Sequence, residues 1–140
     1  MKLRHLGLYG VAASMILAAT PAWPQTTVPS VSGRALESVL AEKLSVAPGK
    51  VLTAQIVHYA PGGSSKAHYH DADVFAFVLS GKILSGEEGD EAKVYNVGEG
   101  HIERRGQHHV VSKNASATEP ASMLVVFISD AGAKLTTFDH

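Results

Sequence analysis

The chain has 140 residues, with 12 lysines and arginines, 13 aspartates and glutamates, and no cysteine. This length allows one domain with a core of its own but hardly two. The balanced charge, without a basic stripe, argues against nucleic acid as a partner. The lack of cysteine excludes disulfides, cysteine-based zinc sites and iron–sulfur clusters, so any metal would have to be bound by His, Asp or Glu.

The first 22 residues have the features of a secretory signal peptide. Lys2 and Arg4 form a basic start, residues 6–19 are uncharged and mostly apolar, and residues 20–22 are small or proline, with cleavage expected between 22 and 25. The apolar run is shorter than the roughly 20 residues that a membrane-spanning helix needs. We therefore expect a periplasmic or secreted protein without stable membrane insertion after cleavage. The alternative is a retained N-terminal anchor.

The rest of the chain predicts strands separated by turns. Residues 26–49 are an N-terminal arm and edge segment, in which residues 34–43 fit either a short helix or a strand at the edge of a barrel. The segments that read as strands are 50–59, 74–79, 82–85, 92–96, 101–103, 109–113 and 121–129. Short strands at this spacing predict an all-β antiparallel sandwich or barrel over residues 50–130, followed by a polar C-terminal tail at 131–140.

A histidine pair lies between the first two of these strands. A Pro-Gly-Gly turn at 61–63 leads into His68 and His70, which are separated by one residue. Side chains at i and i+2 of an extended strand share a face, so the two imidazoles should lie side by side. Histidine is the commonest metal ligand, so the pair is either the start of a metal site or two ordinary surface or barrel-lining histidines.

A second cluster further along the chain has a matching pattern of glycine and histidine. The first stretch contains Gly62, His68, His70 and Gly81, and the second contains Gly98, Arg104, Gly106 and His109. In their order and spacing the two stretches resemble the two motifs of the cupin family, and the similarity covers most of residues 50–130. The resemblance implies a single-domain cupin-type jelly-roll β-barrel, usually a homodimer, with a divalent metal held by His68, His70 and His109.

The chain departs from the cupin pattern at three positions. Val74, or Phe75 with the longer spacing of the motif, stands where the first motif has a Glu. Arg104 replaces the Pro of the second motif, and Asn114 comes one residue late. Asp73 does not replace the missing Glu, because strand alternation points it to the face opposite His68. In lacking this Glu the chain resembles a branch of small exported cupins with a type-2 domain.

Glu103 is the candidate for a fourth metal ligand, because three neutral imidazoles supply no charge against a divalent cation. The alternative is that Glu103 pairs at the surface with the neighbouring Arg104, Arg105 or Lys113. His101 shares the strand parity of Glu103, so it is an alternative ligand, a proton shuttle or a barrel-lining histidine. In an enzyme, Glu103 or His101 would be the general base.

We expect the remaining histidines and the aromatic residues to lie in the core or at the surface rather than in the metal site. His108 should face away from His109 into solvent, His58 should be a structural residue on a sheet strand, and Tyr69 should point away from the site. The aromatic side chains expected in the core are Phe75, Phe77, Tyr95 and Phe127.

Three functions are open from the sequence. The first is a metal-dependent enzyme that acts on a small oxygenated compound by dioxygenation, isomerisation or elimination, with Fe, Mn, Ni, Co or Zn as the ion. The second is a non-enzymatic module that binds a small ligand or a metal. The third is a metal-free cupin whose histidines are relics, a reading that the missing Glu favours.

Overall fold

A computed structural model describes residues 33–140 and contains ten β-strands. Their bounds are β1 Arg34–Lys43, β2 Lys50–Tyr59, β3 His68–Tyr69, β4 Ala72–Ser80, β5 Lys82–Glu87, β6 Lys93–Asn96, β7 Gly100–Glu103, β8 His108–Asn114, β9 Ala121–Asp130 and β10 Thr137–Phe138. The predicted signal peptide at residues 1–22 lies outside the described residues. Within residues 33–140 no helix has the length and apolar character needed to cross a membrane.

The strands form two five-stranded sheets in which all neighbours are antiparallel. Sheet A has the order β1-β2-β9-β4-β7, and sheet B has the order β10-β3-β8-β5-β6. Two antiparallel sheets that enclose one core are the architecture of a jelly roll. The predicted all-β, single-domain jelly roll is therefore confirmed.

The core lies between the two sheets and is built by strand alternation. Every second side chain of β4 and β9 points inward and is buried, among them Val74 and Phe127. Ile83 of β5 completes the core from sheet B. The buried Tyr59 hydroxyl lies 2.6 Å from Ser65 Oγ and 2.9 Å from Ser112 Oγ, so its polar end is satisfied inside the apolar layer.

Of the two structures expected for residues 34–43, the strand is the one that forms. β1 lies at the edge of sheet A and pairs with β2 from Arg34↔Tyr59 to Lys43↔Val51. An irregularity between Ser38 and Leu40 shifts the alternation. Leu36, the partner of Val57, therefore points inward, whereas Leu40, the partner of Ala54, points outward. The apolar residues of β1 thus lack the strict alternation by which a strand is recognised in a sequence.

The C-terminal residues are more ordered than their polar composition predicts. β10 pairs with β3 through Thr137↔Tyr69 and Phe138↔His68, so the tail closes the edge of sheet B beside the histidine pair. The β-structure thus extends beyond residues 50–130 at both ends, through β1 and β10. A two-residue strand carries too short a pattern to be detected in a sequence.

Two predicted placements are wrong. Phe75 is 41% exposed rather than in the core, because the inward positions of β4 are the even-numbered residues. His108 faces away from His109 as expected, yet it is largely covered: its ring stacks on Tyr69 at 4.3 Å between centroids and lies 2.9 Å from an Asp139 carboxylate oxygen. Of the other aromatic residues expected in the core, Phe127 is buried, whereas Phe77 and Tyr95 are half-buried.

Candidate metal centre

Sheet B brings the histidines of the two motifs together. His68 on β3 lies directly across from His109 on β8, and His70 follows two residues after His68. The N–H of Gly106, which has a positive φ of 79°, donates to the carbonyl of His70 at 2.9 Å, so the turn before β8 is bonded to the first motif. Each of the three histidines offers a nitrogen, and these atoms all lie within 4.8 Å of one another.

Backbone carbonyls fix the orientation of two of these rings. The Nδ1 of His68 lies 2.7 Å from the Lys66 carbonyl, and the Nδ1 of His70 lies 2.8 Å from the Leu135 carbonyl. A carbonyl only accepts, so each Nδ1 carries the hydrogen and each neutral ring keeps its lone pair on Nε2. Metal-binding histidines are commonly oriented in this way.

Glu103 is buried beside the histidines and does not form the alternative surface pairs with Arg104, Arg105 or Lys113. Only 4% of Glu103 is exposed. Its Oε2 lies 3.3 Å from His70 Nε2 and 3.3 Å from His109 Nδ1. Glu103 is not one of the residues whose ligand atoms all lie within 4.8 Å of one another. It contacts two of the three histidines, His70 and His109.

The register of sheet A explains how this carboxylate reaches the site. Glu103 on β7 is the direct partner of Val74 on β4, and antiparallel partners point to the same face. Val74 occupies the position at which the cupin motif has Glu. The adjacent strand therefore supplies a carboxylate at the same end of the barrel interior.

The contact between Glu103 and His70 requires a positive charge. His70 Nδ1 holds its hydrogen against the Leu135 carbonyl, so in the neutral ring the Nε2 lone pair faces a carboxylate oxygen. Glu103 Oε2 and His109 Nδ1 are also buried without a hydrogen-bond partner among the described residues. Two buried acceptors in contact repel each other unless a proton or a cation lies with them. A metal ion would give both Glu103 Oε2 and His109 Nδ1 a partner. A donor set of three imidazoles and one carboxylate suits divalent first-row metals.

His101 and Ser85 connect to the other side of this group. His101 Nε2 lies 3.1 Å from Glu103 Oε1 and 3.0 Å from Ser85 Oγ, and Ser85 Oγ lies 2.9 Å from His109 Nε2. His101 thus lines the barrel and touches Glu103 rather than joining the three-histidine group. Ser85 was not identified from the sequence, because a serine inside a predicted strand carries no signal of its own.

The electrostatics of the group favour neutral His68 and ionised Glu103. Burial lowers the pKa of His68 to about 4. Burial alone would raise the pKa of Glu103, but the neighbouring rings of His101, His109 and His70 outweigh burial and hold that pKa well below its usual range. An unprotonated imidazole and a carboxylate are the forms that bind metals.

Two cavities adjoin the group. The cavity lined by the three histidines and Glu103 has a volume of about 20 Å³, which is room for a water molecule or an ion but not for a substrate. A hollow of about 360 Å³ lies next to it, lined by Ser85, Glu87, Tyr95 and His101 among others. This is the size of a small-ligand pocket, and His101, stacked on Tyr95 at 4.3 Å, lies between the hollow and Glu103.

The fold and the site define a small β-barrel whose interior histidines could hold a metal ion. The sequence profile of the cupin domain matches residues 55–127, so the chain belongs to the cupin family. No curated protein matches the chain.

Several solved structures share the fold. The cupin-like protein from Thermotoga maritima is 14% identical, with a TM-score of 0.65 over 82% of this chain and 84% of that one. Oxalate oxidase in complex with glycolate is 26% identical, with a TM-score of 0.60 over 78% of this chain. The DMSP lyase DddQ from Ruegeria pomeroyi is 22% identical, with a TM-score of 0.55 over 62% of this chain. The matches span only 56% of the oxalate oxidase and 42% of DddQ.

Proposed function

We propose that this protein is a metal-binding cupin that uses a divalent ion to act on a small oxygenated organic compound. His68, His70 and His109 would hold the ion through ring nitrogens, and Glu103 would add a negatively charged ligand. The observation that carries the proposal is the meeting of three buried imidazoles from two segments of the chain with one buried carboxylate. Iron, manganese, nickel, cobalt and zinc all suit this donor set.

The surroundings of the site support a small-molecule reaction rather than a purely structural metal. A structural zinc site is normally closed and needs no ligand pocket, whereas here a hollow of about 360 Å³ adjoins the site. When bound, the ion would supply Lewis acidity or dioxygen chemistry. Structural neighbours named as an oxidase and a lyase show that this fold accommodates small-molecule enzymes, and we leave dioxygenation, isomerisation and elimination as the candidate reactions.

The residues of the chain would have distinct tasks in such a reaction. Glu103 accepts from His101, and His101 borders the hollow, so the pair could move a proton between a bound compound and the buried carboxylate. Ser85 bridges His101 and His109 and would orient both rings. His101 is thus our candidate general base, with Glu103 as its partner and as a metal ligand.

Export of the mature chain, assembly as a homodimer and the absence of a nucleic-acid partner belong to the same proposal. The first rests on the N-terminal sequence, the second on the cupin resemblance and the third on composition. Determining the N-terminal residue of the protein recovered from the producing cell would test export, because cleavage between residues 22 and 25 is expected.

Metal analysis of the purified protein tests the central claim. We expect about one divalent ion per chain in the wild type and loss of most of it in His68→Ala and His109→Ala. His58→Ala is the matched control, because His58 lies on β2 away from the site and its Nε2 is bonded to Glu37. A wild type that neither retains nor takes up metal would support the metal-free alternative. A metal-loaded protein that turns over none of a broad set of small oxygenated compounds would support the binding module.

A further inference from the structure

Arg34 lines the same cavity as the three histidines and Glu103. It is the first residue of β1, the edge strand of sheet A, and the direct partner of Tyr59 on β2. Antiparallel partners point to the same face, and Tyr59 is buried in the core, so the Arg34 side chain extends inward from the edge of the sheet. Arginine is rarely taken out of water unless it is paired, so a guanidinium in this place requires an explanation.

The guanidinium of Arg34 has an aromatic neighbour but no counter-charge. Its Cζ lies 5.7 Å from the centre of the Phe138 ring, on the edge strand β10 of sheet B, so a cation–π contact orients it. Within residues 33–140 no ion pair joins Arg34 to a carboxylate, and its Nε is buried without a hydrogen-bond partner. A buried donor without an acceptor is unfavourable, and more so when it belongs to a charged group.

The chain offers no spare carboxylate for this cation. Glu103 lines the cavity too, but its oxygens contact three histidine rings instead. The N-terminal residues that lie outside the described part of the chain cannot supply the charge either, because residues 1–32 contain no aspartate and no glutamate. The missing acceptor of Arg34 is therefore expected to come from a bound molecule.

We infer that Arg34 binds the carboxylate of a small organic acid in the cavity beside the three histidines. The planar fork of N–H groups on a guanidinium matches a carboxylate in both charge and shape. The inference rests on the proposed function and adds the class of substrate to it. A divalent ion held by the histidines and Glu103 would leave the cavity with a net positive charge even before Arg34 is counted, which favours an anion further.

The dimensions of the cavity limit how much of the compound it holds. A volume of about 20 Å³ suits a carboxylate group but not a whole substrate, so the cavity would receive the charged end of the compound. This end of the site lies near the surface, because Arg34 is half-buried and Phe138 is 38% exposed. A small anion can thus reach Arg34 from solvent.

The hollow beside His101 is a poor place for the same group. Its charged lining consists of one basic residue and three acidic ones, namely Lys93, Glu87, Asp90 and Glu91. These carboxylates would repel an anion. Arg34 and His101 lie on β1 and β7, the two edge strands of sheet A, so they approach the site from opposite ends. The carboxylate is therefore expected on the Arg34 side, whereas an uncharged or positively charged part of the compound would suit the hollow.

Anion binding to the cobalt-loaded protein tests the inference separately from metal binding. Formate is the probe because it is a carboxylate of the size of the cavity, and formamide is its uncharged counterpart. Formate should change the visible absorption of the bound cobalt(II) in the wild type, and formamide should not. Arg34→Gln should need about 10- to 100-fold more formate for half of the change, because a charge-assisted hydrogen bond is lost.

Two further variants control for charge and shape. Lys82→Gln removes the same charge from an exposed position on β5 and should bind formate as the wild type does. Arg34→Lys keeps the charge without the fork, so its affinity should lie between those of the wild type and Arg34→Gln. A wild type that takes up no cobalt would overturn both the proposed function and this inference. Normal cobalt uptake with equal formate affinity in the wild type and Arg34→Gln would overturn the inference alone.

Urea unfolding of the metal-free protein separates ligand binding from a structural role of Arg34. Methionine can keep the packing against Phe138 but brings no charge into the cavity, so Arg34→Met should have a midpoint equal to or above that of the wild type. A clearly lower midpoint would show that the folded chain already satisfies the guanidinium, which contradicts a place held for an external anion.

Discussion

Glu103 and Val74 are direct partners across strands β7 and β4, and their side chains point to the same side of sheet A. The cupin motif places a carboxylate at the position of Val74, and this chain places one on the neighbouring strand instead. Relative to the family motif, the carboxylate lies on the adjacent strand, at the position that pairs directly with Val74. In this position it touches His70 and His109.

This relationship leads to a prediction about metal affinity. Glu103→Gln keeps the shape of the side chain and removes its charge, so the affinity for a divalent ion should fall by about tenfold or more. Competition with a coloured chelator would measure the change. Glu119→Gln, a change in an exposed loop, should have no effect. An unchanged affinity in Glu103→Gln would leave Glu103 as a buried residue without a metal role.

Exchanging the two side chains gives a sharper test of the same prediction. The double variant Val74→Glu with Glu103→Val puts the carboxylate at the position of the family motif. The cross-strand pair still contains one valine and one glutamate. It should recover most of the affinity that Glu103→Val alone loses. Failure to recover, in a protein with normal circular dichroism, would mean that the two positions are not equivalent for the metal.

The C-terminal segment should support the site although it contains no expected ligand. The Leu135 carbonyl accepts from His70 Nδ1, Thr136 Oγ1 lies 3.2 Å from the same atom, and the Phe138 ring lies 5.5 Å from the His68 ring. Ending the chain after Ala133 removes all three contacts, and loss of such supporting contacts typically weakens metal binding by about 10- to 100-fold.

Metal titration of the truncated protein measures this loss. Removing His140 alone is the control, because the β10 pairing and the contact of Asp139 with His108 remain. Equal affinity in the two shortened proteins would show that the carbonyl of Leu135 is dispensable for orienting His70.

The sequence predicts those parts of the site that depend on spacing along the chain. His68, His70 and His109 follow from two local motifs, and strand alternation correctly gives His101 and Glu103 the same face. The approach of Glu103 to His70 depends on the pairing of β7 with β4, which no local pattern specifies. The contact of the Leu135 carbonyl with His70 could not be predicted from the sequence either, because every residue has a backbone carbonyl.

The misplacement of Phe75 has a different cause. The run from Val74 to Leu79 is apolar at every position, so its periodicity does not separate inward from outward residues. Such runs indicate a strand that is buried on both faces. In the structure β4 is covered on its inner face, where Val74, Ala76 and Val78 are buried, whereas Phe75 on the outer face is 41% exposed.

Removing the metal should lower the melting temperature. A ligand that binds only the folded state stabilises it by about 3 kcal/mol when its free concentration is 100 times the dissociation constant. For a domain of about 100 residues this corresponds to a shift of at least about 10 °C. Scanning calorimetry with and without a chelator would measure it. In His109→Ala the chelator should change nothing, and a similar shift in that variant would locate the stabilising metal elsewhere.

The pH dependence of the metal-free protein should report the burial of His68. Burial lowers the pKa of His68 from 6.5 to about 4 in the folded state, so between these values the unfolded chain binds more protons than the folded one. The free energy of unfolding should therefore fall as the pH is lowered from 6.5 to 4, by up to about 3 kcal/mol from this residue. The lowered pKa of Glu103 acts in the same direction but only below about pH 4.5, the usual value for a glutamate.

Urea unfolding of the metal-free protein at several pH values between 4.5 and 7 isolates the contribution of His68. His68→Gln removes the titrating ring but keeps a side chain that can donate to the Lys66 carbonyl. The variant should lose less stability than the wild type as the pH falls, because it lacks the imidazole whose pKa is lower in the folded state than in the unfolded chain. If both proteins lost stability equally, His68 would be accessible to protons in the folded state. The cavity around the three histidines would then be more open to water than its volume of about 20 Å³ indicates.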